Sequence, residues 1–247
     1  MQNFKITIIT VVFNDVKNIK KTIESVLSQS YTNIEYLIFD GKSTDGTIDI
    51  IKKYSDRIDF WQSEKDNGIY DVMNKAIDKA SGDYAIFLNS ADLFFSNFTI
   101  EDCQSKIVDT DVLYGSTKIL LKDKILKPHS TNKDWKLIPY CHQSVLIRLS
   151  LLKKVKFNLK YSIASDYNQY FELKKINAKF KETNDVISIY DVDGFSSHNY
   201  NQLLTEYQNI SLSNHDFIIE MVIKIPGPLS NSVLFLEPKL HHCFAGL

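Results

Sequence analysis

Apolar and polar positions follow two alternating rhythms through the first third of the chain. A mostly apolar run from Ile6 to Phe13, interrupted only by Thr7 and Thr10 and closed by Asn14 and Asp15, predicts a buried strand. Val16, Ile19, Ile23, Val26 and Leu27 then recur at the spacing of one helix face. Residues 34–39 predict a second strand, followed by the polar stretch DGKSTDGT and a helix over 48–54 with Ser43, Thr44 or Asp45 as its N-cap. Residues 58–62 predict a third strand. Residues 68–80 predict a third helix with Tyr70, Met73, Asn74 and Ile77 on one side, and residues 83–88 a fourth strand. Such a βαβαβαβ series predicts a parallel sheet covered by helices, with right-handed connections.

Beyond Asp92 the rhythm weakens. Residues 110–129 predict a strand and a hairpin turning near Lys122, Asp123 and Lys124. Residues 165–176 predict a helix, 185–192 a strand and 201–225 a long helix, after which Pro226, Gly227 and Pro228 break the pattern. No internal repeat or low-complexity tract interrupts the chain. One α/β domain over 1–200 with a C-terminal helical extension over 201–247 is expected.

Charge narrows the function. The 29 Lys and Arg balance the 30 Asp and Glu of the 247 residues, leaving a net charge of −1 and no basic excess for nucleic acid. Cys103, Cys141 and Cys243 are widely spaced and form no CxxC pair, so a reducing, cytoplasmic setting is expected. The first apolar run is too short for a membrane span.

In an open α/β sheet, ligands bind beyond the carboxyl ends of the strands. Thr10 to Asp15, Asp40 to Thr47 and Asn89 to Asp92 should therefore converge. Neither GxGxxG nor GxxxxGK[ST] is present, so this is neither a dinucleotide fingerprint nor a P-loop. Asp40 suits acceptance from a base or ribose hydroxyl, and Asp92 suits a divalent cation held against a diphosphate.

The ordered motifs ITVVFN, FDGKSTDGT, SEKDNGIYDVMNKAIDKASGDYAIFLNSAD, HQS and ASDY resemble the inverting glycosyltransferases of GT-A fold. More narrowly, they are similar to bacterial enzymes that build O-antigen, capsule and colanic-acid-type polysaccharides. The resemblance spans about residues 4–200. It implies a Rossmann-like, mostly parallel sheet flanked by helices, a UDP-sugar donor, Mn²⁺ or Mg²⁺, and one carboxylate acting as base. By the same resemblance Thr10, Val11, Phe13 and Asn14 wall the base, and Asp40 meets the uracil or ribose. Gly41 stands where many relatives carry a second Asp. Asp66 and Asn74 line the nucleotide and diphosphate pocket. Asn89, Ser90 and Ala91 contact the donor, with Asn89 assigned to hydrogen bonding, and Asp92 is the metal ligand. Asp166 is the base. His142 and Gln143 contact donor or acceptor, and Tyr70 and His198 are further contacts.

The implied reaction moves a hexose or N-acetylhexosamine with a β-linkage onto a saccharide, carried on a polyprenyl diphosphate, in surface polysaccharide synthesis. Trp135, Tyr140 and Tyr161 are candidate sugar-stacking faces. The apolar stretch 217–229 suits either packing on the core or peripheral contact with the inner face of the cytoplasmic membrane. Two other readings remain open on the residues: a nucleotide-sugar-binding protein without catalysis, and a sugar nucleotidyltransferase.

Overall fold

A computed structural model describes residues 3–119, 124–126, 138–190 and 199–214. The first half is the expected alternation: β1 (Ile6–Val12), α1 (Ile19–Leu27), β2 (Ile34–Asp40), α2 (Thr47–Lys53), β3 (Phe60–Ser63), α3 (Ile69–Lys79) and β4 (Tyr84–Phe87). The second half contains β5 (Leu93–Phe94), α4 (Thr99–Gln104), β6 (Val112–Ile119), β7 (Lys124–Leu126), β8 (Val145–Arg148), α5 (Leu149–Lys154), α6 (Ser165–Lys175), β9 (Phe180–Tyr190) and α7 (Tyr200–Ser213). The strands join one mixed sheet in the order β3-β2-β1-β4-β8-β6-β9-β5, with β7 paired to β6.

Strands β3, β2, β1 and β4 are mutually parallel. All seven residues of β1 are buried, which is what a strand covered by helices on both faces requires. Side chains alternate between those faces. Ile9 and Val11 join Leu37, Phe39, Met73, Ala76 and Ile77 on the α3 side. Ile6, Ile8 and Val12 join Ile19, Ile23, Val26 and Ile38 on the α1 side. The register Val12↔Asp40 brings the ends of β1 and β2 level, so their loops leave the sheet together.

Antiparallel β8 lies between β4 and β6, and β9 returns parallel to β6. This extends the parallel half into a mixed sheet that the sequence pattern did not foreshadow. The hairpin is formed by β6 and β7, paired Thr117↔Leu126, although its turn lies outside the described residues. Helix α2 starts differently from the expectation. Gly46, at φ 101°, occupies the cap position, while Asp45 Oδ1 accepts from the Thr47 amide. Glycine takes that left-handed backbone without the Cβ clash other residues meet. Leu203 and Ile210 of α7 belong to the core that contains Tyr167 and Phe171, so the described start of the extension packs on α6. The tail from 215 onward, with its membrane-facing alternative, lies outside the described residues. Within those residues no helix is long and apolar enough to cross a membrane.

At the opposite, amino-terminal side of β1, Glu35 gathers polar partners. It accepts from Thr7 Oγ1 at 2.6 Å and the Ser81 amide at 2.8 Å, and pairs with Lys5 Nζ at 3.3 Å. Burial alone would raise its pKa, but the Ser81 and Thr7 hydrogen bonds and the Lys5 charge outweigh it and lower it to about 2. The stabilisation is therefore present above the ordinary value of 4.5 and is lost as pH falls toward 2. Glu35→Gln should cost about 1–3 kcal/mol in urea unfolding at neutral pH. The difference from wild type should narrow as the pH falls toward 2; a pH-independent difference would rule out the ionised carboxylate as its source.

Candidate active site

Three loops at the carboxyl edge of β1, β2 and β4 are bonded into one unit. Asn14 turns the chain with φ 48°, a backbone that asparagine tolerates better than most residues. Its amide donates to Ser43 Oγ at 2.7 Å, and its Oδ1 accepts from the Thr44 amide at 2.8 Å. The amides of Asp15 and Val16 donate to Thr47 Oγ1 and Asp45 Oδ2. Asp45 is thus engaged in joining the β1 and β2 loops. The β4 loop is added by Ser90, whose hydroxyl donates to Asp15 Oδ2 at 2.7 Å and whose amide donates to the Val11 carbonyl.

Within this unit the expected donor-facing residues separate into two groups. Phe13 is 64% exposed, an unusual position for a large apolar ring. Gly41 lies beside it: a Cβ there would come within 2.6 Å of Asp66 Oδ2 and 3.2 Å of Phe13 Cδ2. Phe13, Gly41 and Asp66 therefore share one patch, and Asp66 takes up the space a larger residue at 41 would need. Asp40 is 2% exposed. Its Oδ2 accepts from the Ser43 amide and Ser63 Oγ, whereas its Oδ1 is buried with no donor among the described residues.

Thr10 and Asn74 depart from the expectation. The Thr10 hydroxyl is buried in the sheet, donating to the Leu88 carbonyl at 2.8 Å and lying 3.1 Å from Tyr36 Oη. Val11 is a core residue. Asn74 bonds both ends of its amide to the Phe157 backbone at 2.9 Å, which braces α3 against the following segment. Their side chains hold the scaffold. Tyr140 and Tyr161 are likewise buried in the core, so their rings offer no open stacking face; Trp135 and His198 lie outside the described residues.

The turn after β4 is braced by Thr22 of α1. Thr22 Oγ1 accepts from the Ala91 amide at 3.1 Å and donates to the Asp92 carbonyl at 3.0 Å, supporting Ala91 at φ 78°. Asp92 is buried. Asn89 Nδ2 lies 3.1 Å from His142 Nε2, while Asn89 Oδ1 is buried and lacks a donor among the described residues. No group of three or more His, Cys, Asp or Glu side chains able to hold a metal occurs among them. Asp92 and the unpaired Asn89 oxygen nevertheless belong to one turn, and a hard divalent cation takes oxygen ligands.

Asp166, in the first turn of α6, is half-buried next to the same region. Its Oδ1 accepts from the Tyr167 amide at 2.8 Å and lies 3.4 Å from Tyr70 Oη. Loss of hydration raises its pKa, only partly opposed by the charge of His142 and by these hydrogen bonds. Burial lowers the pKa of His142, with Asp166 opposing the shift. Gln143, next in the chain, is buried. Tyr70 donates to the Ile163 carbonyl at 2.7 Å, linking α3 to the loop before Asp166. Burial and the Asp166 charge raise the Tyr70 pKa far, so its hydroxyl stays protonated. Glu206, on α7, also binds this loop and carried no sequence signal, because a lone glutamate in a helix reads as a solvated side chain.

The carboxyl edge of this α/β sheet thus gathers an exposed ring, an orphaned carboxylate oxygen and an oxygen-rich turn, with a carboxyl of raised proton affinity nearby. The model of glycosyl transferase family 2 matches residues 7–154, and the chain belongs to that family. Asp166 lies beyond the matched residues. The chain is 30% identical over 173 residues to an uncharacterized glycosyltransferase of Mycobacterium tuberculosis, covering 65% of each chain. Among solved structures, S. aureus TarS 1-349 in complex with UDP gives a TM-score of 0.66 at 20% identity, covering 91% of this chain and 67% of that one. The same TarS fragment with UDP-GlcNAc gives 0.64 at 17% identity, covering 91% and 68%. The mannosyltransferase PcManGT from Pyrobaculum calidifontis, in complex with GDP-Man and Mn²⁺, gives 0.64 at 14% identity, covering 81% and 60%.

The raised proton affinity of Asp166 carries a stability consequence. Its ionised form is penalised by folding, a cost absent below the unfolded pKa and complete once pH has risen through the folded one. Asp166→Asn keeps the oxygen that accepts from Tyr167 and removes the charge. It should unfold at a higher temperature than wild type at neutral pH, with the gain shrinking in acid. A lower melting temperature at neutral pH would refute the desolvated carboxyl.

Proposed function

We propose that the chain is a metal-dependent inverting glycosyltransferase that moves a hexose or N-acetylhexosamine from a UDP-sugar to a saccharide acceptor with a β-linkage. The reading extends to bacterial O-antigen or capsule synthesis, with an acceptor carried on a polyprenyl diphosphate; that part rests on the motif resemblance. Residues 201–247 are read as a C-terminal helical extension that packs on the core or contacts the membrane; its described start packs on the core through α7. The observation that carries the reading is the half-buried Asp166, its proton affinity raised, set beside the turn of Asn89 and Asp92 through His142. The structures of TarS with UDP and UDP-GlcNAc support a uridine donor, and PcManGT with Mn²⁺ supports a cation.

In this reading Phe13 stacks on the base, and the unpaired Oδ1 of Asp40 accepts from the uracil or ribose. Asp92 would hold Mg²⁺ or Mn²⁺ as the one side-chain ligand of this turn, with donor phosphate oxygens and water supplying the other ligands, while Asn89 hydrogen-bonds on the donor side. When bound, that cation would offset the charge that the leaving diphosphate gains. Asp166 takes the proton from the acceptor hydroxyl as that oxygen attacks the anomeric carbon. A carboxyl of raised pKa is a stronger base than an ordinary one.

A panel of UDP- and GDP-sugars, with and without EDTA, tests the reading. Transfer or slow hydrolysis should favour a UDP-sugar and stop with EDTA; full activity in EDTA would remove the metal. Asp166→Asn should bind UDP as wild type does while turnover falls about 100-fold or more, and near-normal turnover would remove Asp166 as the base. Asp92→Ala should weaken Mn²⁺ binding measured in the presence of UDP, whereas an unchanged titration would return Asp92 to a turn residue.

A further inference from the structure

We propose that Glu206 is a positioning residue: its carboxylate binds the backbone of residues 162–164 and thereby fixes where Asp166 stands. The catalytic consequence rests on the reading of Asp166 as the base, while the positioning itself does not.

Glu206 lies on α7 and is 7% exposed. Its Oε1 accepts from the Ser162 amide at 3.0 Å and from Ser162 Oγ at 2.9 Å. Its Oε2 accepts from the amides of Ile163 and Ala164, each at 2.9 Å. Three successive backbone N–H groups thus converge on one carboxylate, the arrangement that elsewhere forms an anion-binding nest. Here a side chain of the protein fills it, immediately ahead of α6, where a negative charge also favours the helix dipole. Burial alone would raise the Glu206 pKa, but these hydrogen bonds prevail and lower it, so the group remains ionised at neutral pH.

The loop is held from its other side as well. Tyr70 donates to the Ile163 carbonyl and reaches Asp166, so the segment 162–166 is clamped between α3 and α7. Helix α7 is itself fixed on α6: the rings of Tyr167 and Tyr207 are 4.5 Å apart, and Tyr167 Oη lies 3.3 Å from Ser211 Oγ. Gln202 adds a bond from Nε2 to Ser162 Oγ at 2.7 Å. With five donors directed at it, Gln202 Nε2 at 3.3 Å among them, the Glu206 carboxylate is occupied in holding the loop. Besides burial, the groups that shift Asp166 are His142, the Tyr167 amide, Tyr70 and its own amide, none of which bonds to Glu206.

Glu206→Gln keeps the shape but leaves one accepting oxygen and turns an NH₂ group toward N–H donors. The loop should loosen and water should reach Asp166. The Asp166 carboxyl, followed by ¹³C NMR on Asp-labelled protein and assigned with Asp166→Asn, should then titrate at lower pH than in wild type. Glu35→Gln serves as the control, because it loses a comparably bonded carboxylate at the far side of β1 and should leave the Asp166 titration unchanged. Hydrolysis of UDP-GlcNAc with Mn²⁺ should slow about 10- to 100-fold in Glu206→Gln with KM little changed. Glu206→Asp, which retains the charge, should recover part of that loss. An Asp166 titration identical in wild type and Glu206→Gln would overturn the proposal, as would one shifted equally by Glu35→Gln. Normal turnover in Asp166→Asn would instead defeat the base assignment and leave the titration result standing.

Discussion

The architecture depends on the burial of β1 between two parallel partners and beneath helices on both faces. A strand so enclosed can carry no unpaired polar group along its length, so polar chemistry is excluded from the interior and appears where the strand stops. The two threonines within β1 obey the same constraint by donating inside the sheet, Thr7 to Glu35 and Thr10 to the Leu88 carbonyl. Because β1 and β2 end in register and β4 runs beside them, three polar loops meet at one edge. Their mutual hydrogen bonds then make a fixed wall from segments that would otherwise move independently.

The other half of the site is built by different means. Asp166 does not extend from a parallel strand; it sits in the first turn of a helix that reaches the cleft through long-range contacts. Tyr70 from α3 and Glu206 from α7 approach its loop from two sides, and Asn74 braces α3 to Phe157. The edge formed by the β1, β2 and β4 loops is thus positioned by strand register, and the side bearing Asp166 by buried side-chain bonds to backbone. The first is insensitive to single substitutions on the surface, whereas the second depends on a few buried polar groups whose loss leaves unsatisfied partners.

This difference explains what could be read in advance. The parallel half was legible because its strands are mostly apolar runs and its helices carry a clear face, and the GT-A class followed from the order of motifs. Strand β8 is four residues long, β5 only two, and α4 and α5 six each, too short for any period to emerge. The insertion of β8 between β4 and β6 is a long-range pairing that local pattern does not encode. At the site, Asp40, Asp92 and Asp166 were legible as acids at element ends. The partners of Thr10 and Asn74 were not, since periodicity assigns a residue to a face without saying what lies opposite. Glu206 was hidden for the same reason.

The two-residue length of β5 has a further effect. Among the described residues it forms one margin of the sheet, and four-residue β3 forms the other. An open sheet exposes unpaired N–H and C=O groups along its outermost strands, where a second polypeptide can add by backbone pairing. Because β5 pairs only with Ser188 and Ile189, most of the outer edge of β9 has no strand partner among the described residues, and Lys181, Glu182 and Asp185 place charge along it, as Lys65 does after β3. The sheet is thereby a poor template for edge-to-edge aggregation, although its interior strands are among the most apolar segments of the chain.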